Sequence, residues 1–324
     1  MTTRRNAMLG MLASSLEFSA TNVFAQDTSS ITILVGAASS MDYGARAIAE
    51  QMRDVLGRPV VVVSKLGAGQ RIALGEVKRA QPDGRTLVFA TSGPLAVYPH
   101  VYNKLDYDPV TDFTPIAGIS TFDVAISTGP ATGVSNLAQL IEWMKSKKPG
   151  DAVYGSAPGN GSLSHFVGIS IGLAANLQVT HVPYKDSGVG LIDLAAGRLP
   201  VMITGLSPQI EMHKAGKIKL LAVSGNTRSP LVPEVPTLRE AGIAVSSTTS
   251  TAIFGPAKMP AELVKKLYEA INPMTLSPIV REKFAGQAMT PWSANPAQLA
   301  QSLAEERKKY EDLVKASGYV KEDA

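Results

Sequence analysis

Short apolar strand patterns alternate with amphipathic helical patterns along most of this sequence. The strand patterns lie at 31–35, 60–63, 86–90, 152–155, 179–182, 200–204 and 218–223. Alternation of this kind, with short loops between the elements, is typical of α/β sheets covered by helices. The crossovers in such sheets are right-handed, and ligands bind at the carboxyl ends of the parallel strands. The pattern therefore predicts doubly wound α/β sheets whose functional residues lie in the loops that follow the strands.

Two stretches of the chain predict crossings between separate domains. Residues 116–127 form a long strand-like stretch without helical period, and residues 245–254 contain a run of Ser and Thr. The length of 324 residues also favours two domains, because single hydrophobic cores stop growing near ~250–300 residues. We therefore expect a first lobe built from residues 26–123 and 251–324, and a second lobe built from residues 124–250.

Apolar spacing predicts how the first elements pack. Asp42 is placed to cap a helix after the first strand. The apolar face of this helix is expected to consist of Ile48, Met52, Val55 and Leu56. The continuous apolar run at 60–63 predicts a strand that is buried on both faces.

The C-terminal part of the chain, from Met259 onward, is expected to be helical. Its last helix is expected to return over the first lobe. The apolar face of that helix is formed by Leu299, Leu303, Tyr310 and Val314.

The first 25 residues predict an export signal. Arg4 and Arg5 supply its positive start, residues 7–16 give a modest apolar run, and residues 23–25 offer small residues for cleavage. The arginine pair is a partial match to a twin-arginine signal, and general secretion is the alternative. The apolar run is shorter than the roughly 20 residues that span a membrane. We expect a soluble, exported protein that matures near Gln26 and is not embedded in the membrane.

Charge and composition exclude several functions. The formal net charge is +4, with the basic residues scattered. The longest basic cluster, residues 145–148, ends a predicted helix, where cations complement the helix dipole. Nucleic acid is therefore not an expected partner. The sequence contains no cysteine, and its four histidines lack metal-ligand spacing. We expect no metal and no cofactor.

Two segments combine a short strand, a loop of small polar residues and a helix start. Residues 153–166 read V-Y-G-S-A-P-G-N-G-S-L-S-H-F, with the helix expected to begin at Ser162. Residues 181–187, H-V-P-Y-K-D-S, repeat the arrangement. Backbone N–H groups at a helix start are unpaired and carry partial positive charge, so they attract anions. The two loops predict a site for a small carboxylate, and nothing around them resembles a reaction centre.

These two segments resemble the Bug family of periplasmic solute-binding proteins, the extracytoplasmic receptors of tripartite tricarboxylate transporters. The motifs that carry the resemblance are S-A-P-G-N-G-S-x-S-H at 156–165, H-V-P-Y-K-x-S at 181–187 and D-L-A-A-G at 193–197. Further matches follow in the family's order: L-G-A-G at 66–69, Q-P-D-G at 81–84, L-D-Y-D-P-V-x-D-F at 105–113 and V-P-T-L-x-E-A-G at 235–242.

The resemblance covers nearly everything after residue 30. It implies a type II periplasmic-binding-protein fold, in which two crossover segments join the two lobes. It also implies a periplasmic receptor, not an enzyme, that captures a small organic acid between the lobes for a membrane permease supplied by other chains. A ligand sensor of the same fold that feeds a signalling partner is the alternative.

The candidate ligand-binding residues lie in the loops after four strands. Residues 36–42 correspond to the family's loop that helps hold one ligand carboxylate, although Ser39 and Ser40 replace its usual glycine pair. The turn after the strand at 86–90 contributes Ser92, for which capping of the next helix is the alternative. The full set is Ala38, Ser39, Ser40, Asp42, Ser92, Gly93, Asn160, Gly161, Ser162, Ser164, Tyr184 and Asp186.

Asp186 departs from the family pattern, in which glycine commonly follows V-P-Y-K. A carboxylate facing the cleft would disfavour a second ligand carboxylate and favour an N–H or ammonium group. The alternative is that Asp186 caps the helix that begins at Ser187. Both interpretations stay open at the level of sequence.

Two other activities, serine hydrolysis and dinucleotide binding, have partial matches in the sequence. His165 lies three residues after Ser162, a spacing that allows contact on a helix and suggests an exported serine hydrolase. The sequence contains no S-x-x-K motif, and its G-x-S-x-G string at 168–172 lies within the predicted helix instead of at the strand-to-helix turn that a serine nucleophile requires. A histidine hydrogen-bonded at the domain edge is therefore the favoured interpretation. Residues 66–72 have Ile72 where a dinucleotide fingerprint needs its third glycine. This segment predicts a tight strand-to-helix turn.

Overall fold

The computed structural model describes residues 29–37 and 40–323. The predicted signal peptide at 1–25 and the candidate residues Ala38 and Ser39 lie outside the described residues. The strands are β1 (Ile31–Val35), β2 (Val60–Ser64), β3 (Thr86–Thr91), β4 (Phe113–Thr128), β5 (Val153–Ser156), β6 (Thr180–Pro183), β7 (Val201–Gly205), β8 (Lys219–Val223), β9 (Thr248–Pro256) and β10 (Met289–Ala294). The helices are α1 (Ser40–Leu56), α2 (Arg71–Lys78), α3 (Gly93–Ala96), α4 (Tyr98–Val101), α5 (Leu137–Lys145), α6 (Leu163–Ala174), α7 (Ser187–Ala195), α8 (Ser207–Lys214), α9 (Ala261–Thr275), α10 (Pro278–Ala285) and α11 (Pro296–Ser317).

The strands form two mixed sheets, one in each lobe, and the predicted two-lobed α/β fold is confirmed. The first sheet has the order β2-β1-β3-β9-β4, with β10 on the other side of β4. The second sheet has the order β4-β7-β5-β6, with β8 also paired to β4. Each sheet combines parallel strands with antiparallel partners of β4. All seven predicted strands are present, each within one residue of its expected bounds.

Strand β4 belongs to both sheets. Its residues from Phe113 to Asp123 pair with β9, whereas its residues from Val124 to Thr128 pair with β7 and β8. The predicted crossing at 116–127 is therefore confirmed. The second crossing lies before β9, where Ser247 N–H donates to Ser224 O of the second lobe, and Thr248 pairs with Asp123.

The strand directions place the carboxyl edges of the two sheets opposite each other. In the first sheet, β3 is antiparallel to β9, which is antiparallel to β4, so β1 and β3 run toward the second lobe. In the second sheet, β7 is antiparallel to β4, so β5, β6 and β7 run toward the first lobe. The loops after these strands therefore border one cleft between the lobes.

The N-terminal elements differ from the predictions at three side chains. Helix α1 begins at Ser40, two residues before Asp42, so Asp42 lies inside the first turn and is not its cap. Ile48 and Met52 are fully buried, but Val55 is 62% exposed and does not belong to the apolar face. Strand β2 is the edge strand of the first sheet. Val61 is consequently 47% exposed, and the prediction of a strand buried on both faces is wrong.

The C-terminal region also differs from the prediction. Strand β10 interrupts the expected helices and pairs with β4. Helix α11 buries the four predicted side chains, but it does not cover the first lobe alone. Leu299 and Leu303 pack into the core of the first lobe, whereas Tyr310 and Val314 pack into the core of the second. Helix α11 therefore spans both lobes, because its single apolar face crosses the junction between them.

Candidate functional site

The predicted site residues within the described part of the chain lie in the loops that border the cleft or in the first turns of the helices that follow them. The residues at the first lobe are Ser40, Asp42, Ser92 and Gly93, and those at the second lobe are Asn160, Gly161, Ser162, Ser164, Tyr184 and Asp186. The fold thus brings both groups to facing carboxyl edges of the two sheets.

The loop between β5 and α6 folds around its predicted helix start. Ser162 is the N-cap of α6, and its Oγ accepts a hydrogen bond from the His165 backbone N–H at 3.2 Å. Gly161 has φ 67°, which favours glycine. A Cβ atom at Gly161 would lie 2.8 Å from Cγ2 of Val101, which ends α4 in the first lobe. The loop between β5 and α6 therefore lies directly against the first lobe.

His165 is held in a stack of rings beside this loop. Its Nδ1 accepts a hydrogen bond from the Gly161 backbone N–H at 3.2 Å. Its ring lies parallel to that of His181, with 3.7 Å between the centroids. His181 Nε2 lies 2.7 Å from Ser156 Oγ. Burial lowers the pKa of His165 to about 4, and burial together with His165 lowers the pKa of His181 to about 3. Both rings are therefore neutral at pH 7.

This arrangement supports the structural interpretation of His165. Its Nδ1 is occupied by a backbone N–H group, and Ser162 Oγ caps the helix. A general base must instead offer a free nitrogen to the hydroxyl that it deprotonates. The pair lacks the geometry of a serine nucleophile with its base.

The loop between β6 and α7 places Asp186 at the N-cap of α7. Its Oδ1 accepts a hydrogen bond from the Val189 backbone N–H at 3.1 Å. The capping interpretation of Asp186 is confirmed, and its predicted role toward a ligand stays a prediction. The Tyr184 hydroxyl donates to Asp193 Oδ2 at 3.0 Å, and Arg198 pairs with the same carboxylate at 2.6 Å. The Tyr184 hydroxyl is therefore directed to α7.

On the first lobe, two predicted side chains bind to other protein groups. Ser92 Oγ donates to Glu306 Oε1 of α11 at 2.9 Å and does not cap α3. Burial raises the pKa of Glu306 to about 7. The carboxylate of Asp42 accepts from Arg46 Nε at 2.6 Å and from Ser64 Oγ at 2.8 Å. These partners, Arg46 first, lower the pKa of Asp42.

Gln70 and Thr91 lie at the same edge of the first sheet but were not predicted from the sequence. The segment 66–72 is a turn from β2 into α2, as predicted, and it contains a 3-10 turn at Ala68–Gln70. Gln70 has φ 75° and is 8% exposed. Its side chain forms two hydrogen bonds with Thr91, the last residue of β3. The glycine-rich turn signalled an unusual backbone, but nothing in the sequence indicated where the Gln70 side chain would reach.

Neither a metal site nor a membrane span is found in the part of the chain that the structure describes. Within residues 29–37 and 40–323, no group of three His, Asp or Glu side chains is placed to hold a metal ion. Over the same residues, no helix combines the length and the apolar character needed to cross a membrane.

Comparison with known proteins assigns the chain to a family. A family model described as tripartite tricarboxylate transporter family receptor matches residues 44–319. Protein BugT of Bordetella pertussis is 29% identical over 281 residues, which are 86% of this chain and 86% of BugT.

Two solved structures of similar proteins contain dicarboxylates. An R. palustris protein solved with adipate is 28% identical, with a TM-score of 0.84, and the match covers 91% of this chain and 99% of that one. MatC from Rhodopseudomonas palustris, solved with bound malate, is also 28% identical, with a TM-score of 0.78 and coverage of 89% and 99%. The resemblance predicted from the motifs is confirmed: this chain belongs to the tripartite tricarboxylate transporter receptor family, among the Bug-type solute-binding proteins.

Proposed function

We propose that this protein is a periplasmic receptor that binds a small organic carboxylate between its two lobes. The observation that carries the proposal is the placement of polar loops and helix starts on facing edges of one cleft. Ser162 and Asp186 mark two of these helix starts in the second lobe. The similar proteins solved with adipate and malate support a carboxylate as the ligand class.

Neutral hydrogen-bond donors are proposed to supply most of the binding energy. The two histidines beside the loop after β5 are uncharged at neutral pH, because burial lowers the pKa of each. Backbone N–H groups at helix starts and serine hydroxyls are then the donors for a ligand carboxylate. Charge-assisted hydrogen bonds of this kind contribute about 1.5–3 kcal/mol each. Closure of the lobes strengthens them by excluding water.

The charge of Asp186 is proposed to narrow the ligand class. One carboxylate oxygen caps α7 through Val189, while the negative charge remains at the cleft border. We infer a ligand with one carboxylate or amide and a hydrogen-bond donor in preference to a plain dicarboxylate. The variant Asp186→Asn keeps a capping oxygen and removes the charge. A larger gain in affinity for adipate, a plain dicarboxylate, than for glutamine in this variant supports the proposal, and an unchanged preference contradicts it.

The finer organisation is also proposed from the family. The lobes are assigned to residues 26–123 with 251–324 and to residues 124–250, after removal of a signal peptide at residues 1–25. The strand pairing of β4, which changes partners after Asp123, supports this division. Lobe closure is proposed to be recognised by a membrane permease that other chains supply.

A thermal-shift screen of residues 26–324 tests the proposed function. Carried-over ligand is first removed by partial unfolding and dialysis. The panel contains malate, adipate, glutamate, benzoate and their amides. A ligand at 100 times its dissociation constant stabilises the folded state by about 2.7 kcal/mol, which raises the Tm by a few degrees. Stabilisation by at least one of the carboxylates supports the proposal. A protein that no carboxylate stabilises contradicts it, and capture of a protein partner is then the next experiment.

A further inference from the structure

Gln70 occupies an unfavourable backbone conformation at the edge of the cleft. Its φ of 75° lies in the left-handed region, which residues other than glycine, asparagine and aspartate seldom adopt. The residue is held there by close packing, since a Cβ atom at Gly36 would lie 2.6 Å from the Gln70 Cα. Gly36 directly follows β1. Strained residues of this kind cluster at binding sites, where the surrounding structure has to hold them.

The orientation of the Gln70 amide follows from its two partners. The Thr91 backbone N–H can only donate, so the Gln70 oxygen Oε1, at 3.1 Å, must face it. The amide nitrogen Nε2 then lies 2.6 Å from Thr91 Oγ1. Because Nε2 can only donate, Thr91 Oγ1 accepts this hydrogen bond. The Thr91 hydroxyl hydrogen is thereby left to donate to a group other than Gln70.

The Thr91 side chain lies on the face of the sheet that carries α1. Residues alternate between faces along a strand, so Thr91 shares its face with Phe89. Phe89 is buried in the core with Met41 and Ala45 of α1. Phe89 also pairs with Val35, the last residue of β1. The Thr91 hydroxyl therefore lies just beyond the end of β1, on the face of the sheet that α1 covers. Its contact with Gln70 is its only side-chain hydrogen bond within residues 29–37 and 40–323.

We propose that Gln70 is a positioning residue that fixes the Thr91 hydroxyl as a hydrogen-bond donor to a ligand carboxylate. This inference rests on the proposed function, a receptor that binds a carboxylate between its two lobes. A threonine hydroxyl that is free to rotate can donate or accept. Gln70 occupies one of the two lone pairs of the Thr91 oxygen, which directs the hydroxyl hydrogen away from Gln70 and leaves it to donate. A donor held in a fixed direction suits a carboxylate oxygen at this position.

The experiment compares four single variants and one double variant, Gln70→Gly with Thr91→Val, by isothermal titration calorimetry. The probe is whichever of malate, adipate, glutamate and benzoate binds the wild type most tightly. Thr91→Val removes the donor, and Thr91→Ser keeps it. Gln70→Gly suits the left-handed backbone and releases the Thr91 hydroxyl. Gln70→Glu keeps the size of the side chain, but its second carboxylate oxygen accepts the Thr91 hydroxyl hydrogen and turns it away from the ligand.

The expected changes in affinity follow from the roles of Thr91 as donor and Gln70 as positioning residue. Thr91→Val weakens binding about tenfold or more, because it removes a charge-assisted hydrogen bond. Thr91→Ser stays within about threefold of the wild type, and Gln70→Glu weakens binding at least as much as Thr91→Val. Gln70→Gly weakens binding about threefold to tenfold, but in a Thr91→Val background it adds less than about twofold. A purely structural role of Gln70 predicts that its loss weakens binding equally in both backgrounds.

The outcomes separate this inference from the proposed function. If the wild type binds one of the four probes and Gln70→Glu binds it equally well, the inference is overturned and the receptor function stands. An equal effect of Gln70→Gly with and without Thr91 also overturns it. If the wild type binds none of the probes, the carboxylate receptor itself is contradicted, and this inference with it.

Discussion

The ring of Tyr319 lies edge-on to the imidazole of His165, with 5.5 Å between the ring centroids. Tyr319 belongs to the C-terminal segment 318–323, which follows α11. The same segment bonds to the first lobe through Glu322, whose backbone N–H donates to Val101 O at 2.9 Å. His165 accepts a hydrogen bond from Gly161, in the loop between β5 and α6 of the second lobe. The end of the chain therefore connects both lobes next to the cleft.

Replacement of Tyr319 by alanine is expected to destabilise the protein. The ring also contacts Phe166, at 5.6 Å between centroids. Loss of a partly buried aromatic ring costs about 1–3 kcal/mol. Urea unfolding of Tyr319→Ala measures this loss. Lys321→Ala is the control, since Lys321 is exposed and bonds only to a backbone oxygen. Equal stability of the two variants would contradict a connecting role for Tyr319.

Acid is expected to destabilise the protein through His165. The pKa of this residue is about 4 in the folded protein and near 6.5 in an unfolded chain. Between these values the unfolded state binds a proton that the folded state does not, so stability falls as the pH falls. Lowering the pH from 7 to 5 is expected to cost about 1–2 kcal/mol through this residue.

The variant His165→Asn removes that contribution, together with the part of the lowered His181 pKa that His165 causes. Asparagine offers an oxygen to the Gly161 N–H group but does not titrate. The measurement is the difference in unfolding free energy between pH 7 and pH 5, taken for both proteins. Glu306, whose raised pKa favours the folded state as the pH falls, is present in both and cancels. The same acid loss in the wild type and the variant would contradict the assignment to His165.

Ser162→Ala is expected to reduce both stability and ligand affinity. Loss of an N-cap side chain costs about 0.5–2 kcal/mol of stability. Ser277→Ala is a matched control, because Ser277 caps α10 by the same bond to a backbone N–H. Thermal unfolding is expected to show similar losses for the two variants. Calorimetry with a bound carboxylate is expected to show weaker binding for Ser162→Ala only. Unchanged affinity in that variant would remove Ser162 from the site.

Gly161→Ala is expected to destabilise the protein more than an ordinary glycine substitution does. The added Cβ would lie 2.8 Å from Val101, in addition to the strain of a φ of 67°. Gly133→Ala is the control, since Gly133 has φ 66° and no atom within 4 Å of its ideal Cβ. Strain alone costs about 1 kcal/mol, and the contact is expected to add about 1–2 kcal/mol. An equal loss of unfolding free energy in Gly161→Ala and Gly133→Ala would show that the loop does not press on the first lobe.

The sequence predicted the strands well because β-branched runs form strands in most surroundings. It did not predict which strand would be at an edge, so the exposure of Val61 was missed. Strand order is determined by pairing between distant residues, which local patterns do not contain. Helix α11 shows the same limit. Its apolar face was predicted correctly, but only the fold divides that face between two lobes.

The local structure of the candidate site was predicted best where one segment determines its own conformation. The cap at Ser162 follows from the small polar loop that precedes the helix, and so does the cap at Asp186. The contact of Gln70 with Thr91 was not predictable, because it joins residues 21 positions apart across a turn. It depends on the close approach of Gly36, which only the packed sheet provides.

Because β4 belongs to both sheets, it determines the order in which the chain can fold during synthesis. The first part of β4 pairs with β9 and β10, which are synthesised after every strand of the second sheet. Pairings between such distant segments form slowly. The lobe that begins the chain is therefore the last to be completed. Until β9 arrives, β3 has an unpaired edge, and a chain that stops before β9 exposes this edge to aggregation.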